Sequence, residues 1–252
     1  MIDLKNSEEI KIMRQAGRIS ALALRAVGEA IRPGISTMEL DIIAKEFIKK
    51  SNGVPSFLNF LDYPATTCIS INEEIVHGIP DKNKILKEGD IVSVDVGACY
   101  KGYHGDNART FPCGVISEEA SRLLKITEDS LYFAIDFISK NKDITTGDLG
   151  FAVQNFIESN DGYGVVKNYT GHGIGRSIHE TPRIPNYGNP GEGVNIVSGM
   201  TIAVEPMVTI GSPDYKVLDD KWTVVTLSGN LSAHFEHTIA VTDSGVEILT
   251  LE

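Results

Sequence analysis

The chain has 252 residues, enough for one large domain or two small ones, and its 42% hydrophobic content with ordinary glycine and proline usage excludes collagen-like, low-complexity and disordered classes. A formal net charge of −11 without any dense Lys/Arg patch argues against nonspecific nucleic-acid binding. No stretch offers the roughly 18 apolar residues of a membrane span, the start MIDLKNSEEIKIMRQ lacks signal-peptide character, and Cys68, Cys99 and Cys113, an odd set without C-x-x-C spacing, suit a reducing cytoplasm.

Asn6 and Ser7 precede Glu8, Glu9 and an apolar pattern through Ile10, Met13, Ile19, Leu22, Ala26 and Ala30 that stops at Pro33-Gly34, which predicts an amphipathic helix. Residues 35–53, ISTMELDIIAKEFIKKSNG, open on the capping spacing Ser36/Glu39 and stop at Gly53. Residues 144–162, ITTGDLGFAVQNFIESNDG, repeat this plan 109 positions on (144 − 35), with Thr145/Asp148 and Gly162 in the matching places. Each block predicts a helix of about four turns. Another long helix is predicted from Ser117 to about Lys140.

The repeat extends into the strands. Gly89–Val96 matches Gly199–Pro206 at an offset of 110 (199 − 89), which aligns Asp95 with Glu205. His104-Gly-Asp106 matches His234-Phe-Glu236 at 130 (234 − 104), and His77-Gly-Ile resembles His172-Gly-Ile. Each half reads helix, helix, strands. The expected fold is α+β with an internal pseudo-twofold, a single domain over 1–252 with pseudo-repeats of roughly 1–112 and 113–252.

Four acids stand in apolar strand patterns: Asp95 in Ile91–Val96, Asp106 in His104–Phe111, Glu205 in Ile202–Pro206 and Glu236 in Phe235–Val241. A hairpin folding about Tyr100-Lys101 would place Asp95 directly opposite Asp106, with Cβ atoms about 5 Å apart. A lone acid at such a place often ends a strand or faces water, and Arg109 offers Asp106 a local partner. Four related acids are harder to read as surface decoration, because buried charges must be paired or bind metal. Two divalent cations would balance four carboxylates, oxygen-rich ligands suit Mn, Fe or Co, and such a pair can generate a nucleophile from water. His172 and His179, in a glycine-rich segment, and His77 are further candidates, whereas His104, His234 and His237 read as ordinary packed or surface histidines.

These segments resemble the methionine aminopeptidases, type I bacterial form, over essentially the whole chain. The resemblance is carried by Tyr169–Tyr187 with Gly171-His172-Gly173 and His179, by Val76-His-Gly-Ile-Pro80, Val94-Asp-Val-Gly97, Ala203-Val-Glu-Pro206 and Phe235-Glu-His-Thr238. It implies a pita-bread fold with two metals (Co, Mn or Fe) in a central cleft, held by Asp95, Asp106, His172, Glu205 and Glu236. It further implies that Glu205 acts as general base, that His179 stabilises the oxyanion and that His77 contacts the scissile amide. A methionine pocket would be lined by Tyr63, Cys68, Trp222, Phe57 and Phe60, with Ile178 a weaker candidate, although ordinary core packing explains Phe57 and Phe60 equally well.

The activity implied is removal of initiator methionine before a small second residue. The expected setting is a cytoplasmic monomer meeting nascent polypeptide amino termini, at the ribosome or free of it, with no membrane or specific nucleic-acid partner. Two other readings stand beside it: an Xaa-Pro aminopeptidase or creatinase-like hydrolase, whose members carry an extra amino-terminal domain, and a metal-free peptide- or ribosome-binding module, which would have lost ligands.

Overall fold

The computed structural model describes residues 2–252. Four helices form where the capping residues place them: α1 (Ser7–Ala30), α2 (Thr37–Lys50), α3 (Glu118–Lys140) and α4 (Thr146–Glu158). The capping boxes of Asn6/Glu9, Ser36/Glu39 and Thr145/Asp148 are all closed, satisfying backbone donors at three helix starts.

The helices pack on a nine-stranded antiparallel sheet. Its path runs β1 (Val54–Pro55), β4 (Ile91–Tyr100), β5 (Tyr103–Pro112), β14 (Glu236–Thr242), β9 (Thr201–Val204), β7 (Gly171–Gly173) and β8 (Glu180–Ile184). β2 (Thr67–Ile71) also pairs with β4, and β15 (Gly245–Ile248) with β14. Two three-stranded sheets complete the fold: β13 (Ser232–His234), β10 (Met207–Ile210) and β6 (Tyr163–Val165), then β11 (Tyr215–Val217), β12 (Val224–Thr226) and β3 (Glu74–Val76). Separate apolar clusters back the halves, one around Leu24, Leu40, Ile48 and Val94, the other around Leu123, Leu131, Ile157 and Val204. No helix among the described residues is long and apolar enough to cross a membrane.

Two expected registers shift. The β4–β5 hairpin turns on Lys101-Gly102, both with positive φ, so Tyr100 pairs with Tyr103 and the opposition of Asp95 to Asp106 is corrected. Asp95 instead faces Ala108, and Asp106 faces Gly97 one pleat away. Because the displacement is two residues, both acids still share a face.

The second shift concerns the repeat. Val94 pairs with Arg109 and Val204 with His237, so an offset of 110 on the first strand (204 − 94) carries 128 on its partner (237 − 109), not 130. His234 is therefore the counterpart of Asp106, and Glu236 that of Ala108. Pairing geometry sets this alignment, which the shared His-x-acid spelling obscures.

β3 joins β12 across the halves in a smaller sheet, and within the nine-stranded sheet the halves meet at β5 and β14 through two residue pairs, Glu236 with Ala108 and His237 with Asn107. Beyond each end of this seam a threonine hydroxyl replaces the ladder. Thr238 Oγ1 accepts from the Asp106 N–H (2.9 Å) and donates to its carbonyl (2.8 Å). Thr110 Oγ1 does the same for His234, at 2.9 and 3.0 Å.

The entry into β2 depends on a buried carboxylate. Asp41 on α2 accepts from the backbone N–H of Thr66 (2.9 Å) and Thr67 (2.8 Å) and from the Thr67 hydroxyl (2.8 Å). Asp41→Ala leaves these buried donors unsatisfied, so the expected loss is about 3 kcal/mol, read as a lower urea midpoint. An unchanged midpoint would contradict the assignment.

Candidate metal centre

Five neighbouring strands of the sheet, β4, β5, β14, β9 and β7, each bring one donor to a common cleft. Asp95 lies mid-strand in β4, Asp106 in β5 and His172 in β7, while Glu236 opens β14 and Glu205 directly follows β9. Asp95 and Glu236 both flank Ala108, whose small side chain leaves room over the centre of the row. Glycines beside His172 permit this crowding: a Cβ on Gly171 would stand 2.3 Å from the Ala203 carbonyl oxygen, and one on Gly173 2.4 Å from that of Thr181.

The donor chemistry fits a cation. One ligand atom from each of Asp106, His172 and Glu236 lies within 4.8 Å of the others. Asp95 Oδ1, Asp106 Oδ1 and Glu236 Oε1 are buried without hydrogen-bond partners. No Lys or Arg among the described residues forms an ion pair with these acids, and Arg109 pairs instead with Glu128 at 3.3 Å. Asp106 and Glu236 are only 3% and 2% exposed, so their charges lack both water and a counter-ion.

Burial raises the pKa of Asp95, Glu205 and Glu236 well above the carboxylate range, with neighbouring carboxylates adding to it, and raises Asp106 to about 7. Burial lowers His172 to about 3. Its Nδ1 donates to the Gly173 carbonyl at 2.9 Å, which leaves the Nε2 lone pair facing the acids, 3.5 Å from Glu205 Oε1.

Beside the acids a cavity of about 190 Å³ is lined by Phe57, Phe60, Tyr63, Cys68 and Trp222, with His77 and His179 at its edge. This is room for a single residue, below the roughly 300–1,000 Å³ of a drug-sized site. The Tyr63 hydroxyl donates to the carbonyls of Thr67 and Gly78 at 3.0 and 3.1 Å, and its ring meets Trp222 edge-on at 4.9 Å. Asp220 holds Trp222 in place by accepting from its backbone N–H at 2.9 Å. Burial raises the Cys68 thiol, so the cavity meets it as a neutral group. His179 lies 4.3 Å ring-to-ring from His172 and 5.1 Å from Phe60, and His77 lies 5.5 Å from Tyr169.

Ile178 is buried against this cluster but does not line the cavity. Two lining residues carry no signal in the sequence. Leu61 borders the cavity from a left-handed backbone at φ 48°, a tertiary turn without a hydrophobic pattern. His234, expected to be ordinary, borders the adjoining cleft with its Nε2 unpartnered, 3.6 Å from Glu205 Oε2.

The carboxylate shifts have a consequence for the metal-free protein. An acid whose folded pKa is raised contributes stability below its unfolded pKa and loses it as pH rises through the folded value. Near pH 8, above the value of about 7 for Asp106, the metal-free chain therefore carries that carboxylate's buried charge uncompensated, whereas the neutral histidines cost nothing there. Asp106→Asn is expected to raise the melting temperature of metal-free protein at pH 8 by a few °C while weakening Mn²⁺ uptake. A lower melting temperature than the parent's under those conditions would contradict the charge argument.

A model of metallopeptidase family M24 matches residues 11–243. The methionine aminopeptidase of Clostridium acetobutylicum is 49% identical over 100% of this chain and 99% of its own length, and methionine aminopeptidase 1 of Bacillus subtilis is 48% identical over 99% of both. The crystal structure of the Thermotoga maritima methionine aminopeptidase superposes with a TM-score of 0.96 at 46% identity, covering 100% of both chains. The prolidase of Pyrococcus furiosus shares the scaffold at a TM-score of 0.78 and 25% identity, over 99% of this chain and 65% of that one. The pita-bread fold, the M24 match and the near-half identity over full length together place the chain in the methionine aminopeptidase family of M24 metallopeptidases.

Proposed function

We propose that this chain removes the amino-terminal methionine of nascent proteins and peptides, preferring a small second residue, with two divalent cations of Mn, Fe or Co held by Asp95, Asp106, His172, Glu205 and Glu236. The observation that carries the reading is the meeting of five donors from adjacent strands beside an apolar cavity sized for one residue. When bound, such cations supply Lewis acidity and lower the pKa of water.

The remaining steps belong to the chain. Phe57, Phe60, Tyr63, Cys68 and Trp222 enclose the thioether, whose soft sulfur suits an aromatic and thiol wall. His77 contacts the scissile amide, and Tyr169, whose ring meets that of His77 edge-on at 5.5 Å, lines the same cleft. Glu205 removes a proton from the attacking water and returns it to the leaving amine. His179 donates to the oxygen that gains charge as the tetrahedral centre forms. The active unit proposed is a monomeric single domain over 1–252, repeats near 1–112 and 113–252, meeting nascent termini in the cytoplasm.

Peptides Met-Ala-Ser and Met-Lys-Ser test the reading with MnCl₂, CoCl₂ or ferrous iron. Metal-dependent release of methionine is expected from the first and far less from the second, and no release from either would end it. His179→Ala is expected to keep its metal and lose roughly 10²–10³ in kcat. An effect confined to KM would remove His179 from that role.

A further inference from the structure

Among six histidines, His234 combines deep burial with an unmet hydrogen-bonding atom. It is 2% exposed, and its Nε2 has no partner. A buried polar atom left in this way has given up its hydrogen bonds to water without gaining one from the protein. Glu205 is placed to relieve it. His234 Nε2 lies 3.6 Å from Glu205 Oε2, while His172 Nε2 lies 3.5 Å from Glu205 Oε1, so the carboxylate sits between two imidazoles.

The backbone supports this placement independently. Thr110 Oγ1 brackets the N–H and carbonyl of His234, as Thr238 Oγ1 brackets those of Asp106. The strand registers make these two residues counterparts. The duplicated scaffold thus delivers a metal-site acid from one half and an imidazole from the other into adjoining parts of one cleft.

We propose that His234 is a positioning residue of the catalytic centre, its Nε2–H donating to Glu205 Oε2 and fixing the carboxylate with Oε1 turned toward His172 and the cations. A turn of the Glu205 carboxylate about its broad terminal torsion closes the gap to about 3 Å. One tethered oxygen leaves the other in a single orientation, which serves both ligation and proton transfer. The inference rests on the role given above to Glu205.

The test compares three substitutions. His234→Gln places an amide nitrogen as far from the backbone as Nε2 and still donates, His234→Asn stops short, and His234→Leu donates nothing. Each chelator-stripped protein is titrated with MnCl₂ by calorimetry, and kcat and KM are measured on Met-Ala-Ser. His234→Gln is expected to stay close to the parent in both. The Asn and Leu variants are expected to bind Mn²⁺ about 10–100-fold more weakly, and to lose kcat with little change in KM.

Asn and Leu variants matching the parent, or a Gln variant as impaired as Leu, would overturn the proposal. Should His234→Leu fail to fold, the contrast between Gln and Asn decides the matter alone. A parent that binds Mn²⁺ yet releases no methionine would defeat the functional reading alone, because the Mn²⁺ affinities still decide the part played by His234.

Discussion

Everything in this molecule is arranged around carboxylates gathered where protein charge does not neutralise them. Asp106 and Glu236 are buried, Asp95 and Glu205 stand beside them, and burial pushes each toward its protonated form, with neighbouring carboxylates adding to the push at Asp95, Glu205 and Glu236. Such a cluster is costly to fold around unless cations join it. Divalent metal, which membership of the M24 metallopeptidases implies, would relieve that electrostatic stress.

The sheet brings the acids together without forcing backbones apart. Five strands in succession present one donor each, and Ala108 keeps the middle of the row empty. At the β5–β14 seam of the large sheet the ladder shrinks to two residue pairs, and threonine hydroxyls take over beyond them. A hydroxyl both accepts and donates, so it satisfies a separated strand's N–H and carbonyl at once. The seam can therefore spread and let side chains converge on one face, at no cost in unpaired backbone groups. Matching strand registers place the arrangement on both sides, and different residues at matching positions, Asp106 against His234 and Ala108 against Glu236, make the two sides of the cleft chemically different.

Much of this is legible in the sequence because its signals are local. Asn6, Ser36, Ser117 and Thr145 mark helix starts through bonds made within three residues. The acids stand out because charge interrupts β-branched runs, and the glycines around His172 declare a crowded backbone. What stays hidden depends on distant contacts. The expected hairpin differs from the observed one because Lys101 adopts a left-handed turn that its side chain does not advertise. The expected repeat alignment is off by two because similar spelling at His234-Phe-Glu236 outweighs a register that only β9 reveals. His234 reads as ordinary because what distinguishes it is Glu205, far away along the chain. Leu61 carries no periodic pattern at all, only a tertiary turn.

The most direct measurement is anomalous diffraction from crystals soaked in MnCl₂. Two Mn peaks about 3.5–4 Å apart, enclosed by oxygens of Asp95, Asp106, Glu205 and Glu236 and by Nε2 of His172, are the expected result. Peaks elsewhere on the molecule, or a cleft in which arginine or lysine side chains have swung in to neutralise those oxygens while manganese stays out, would contradict it.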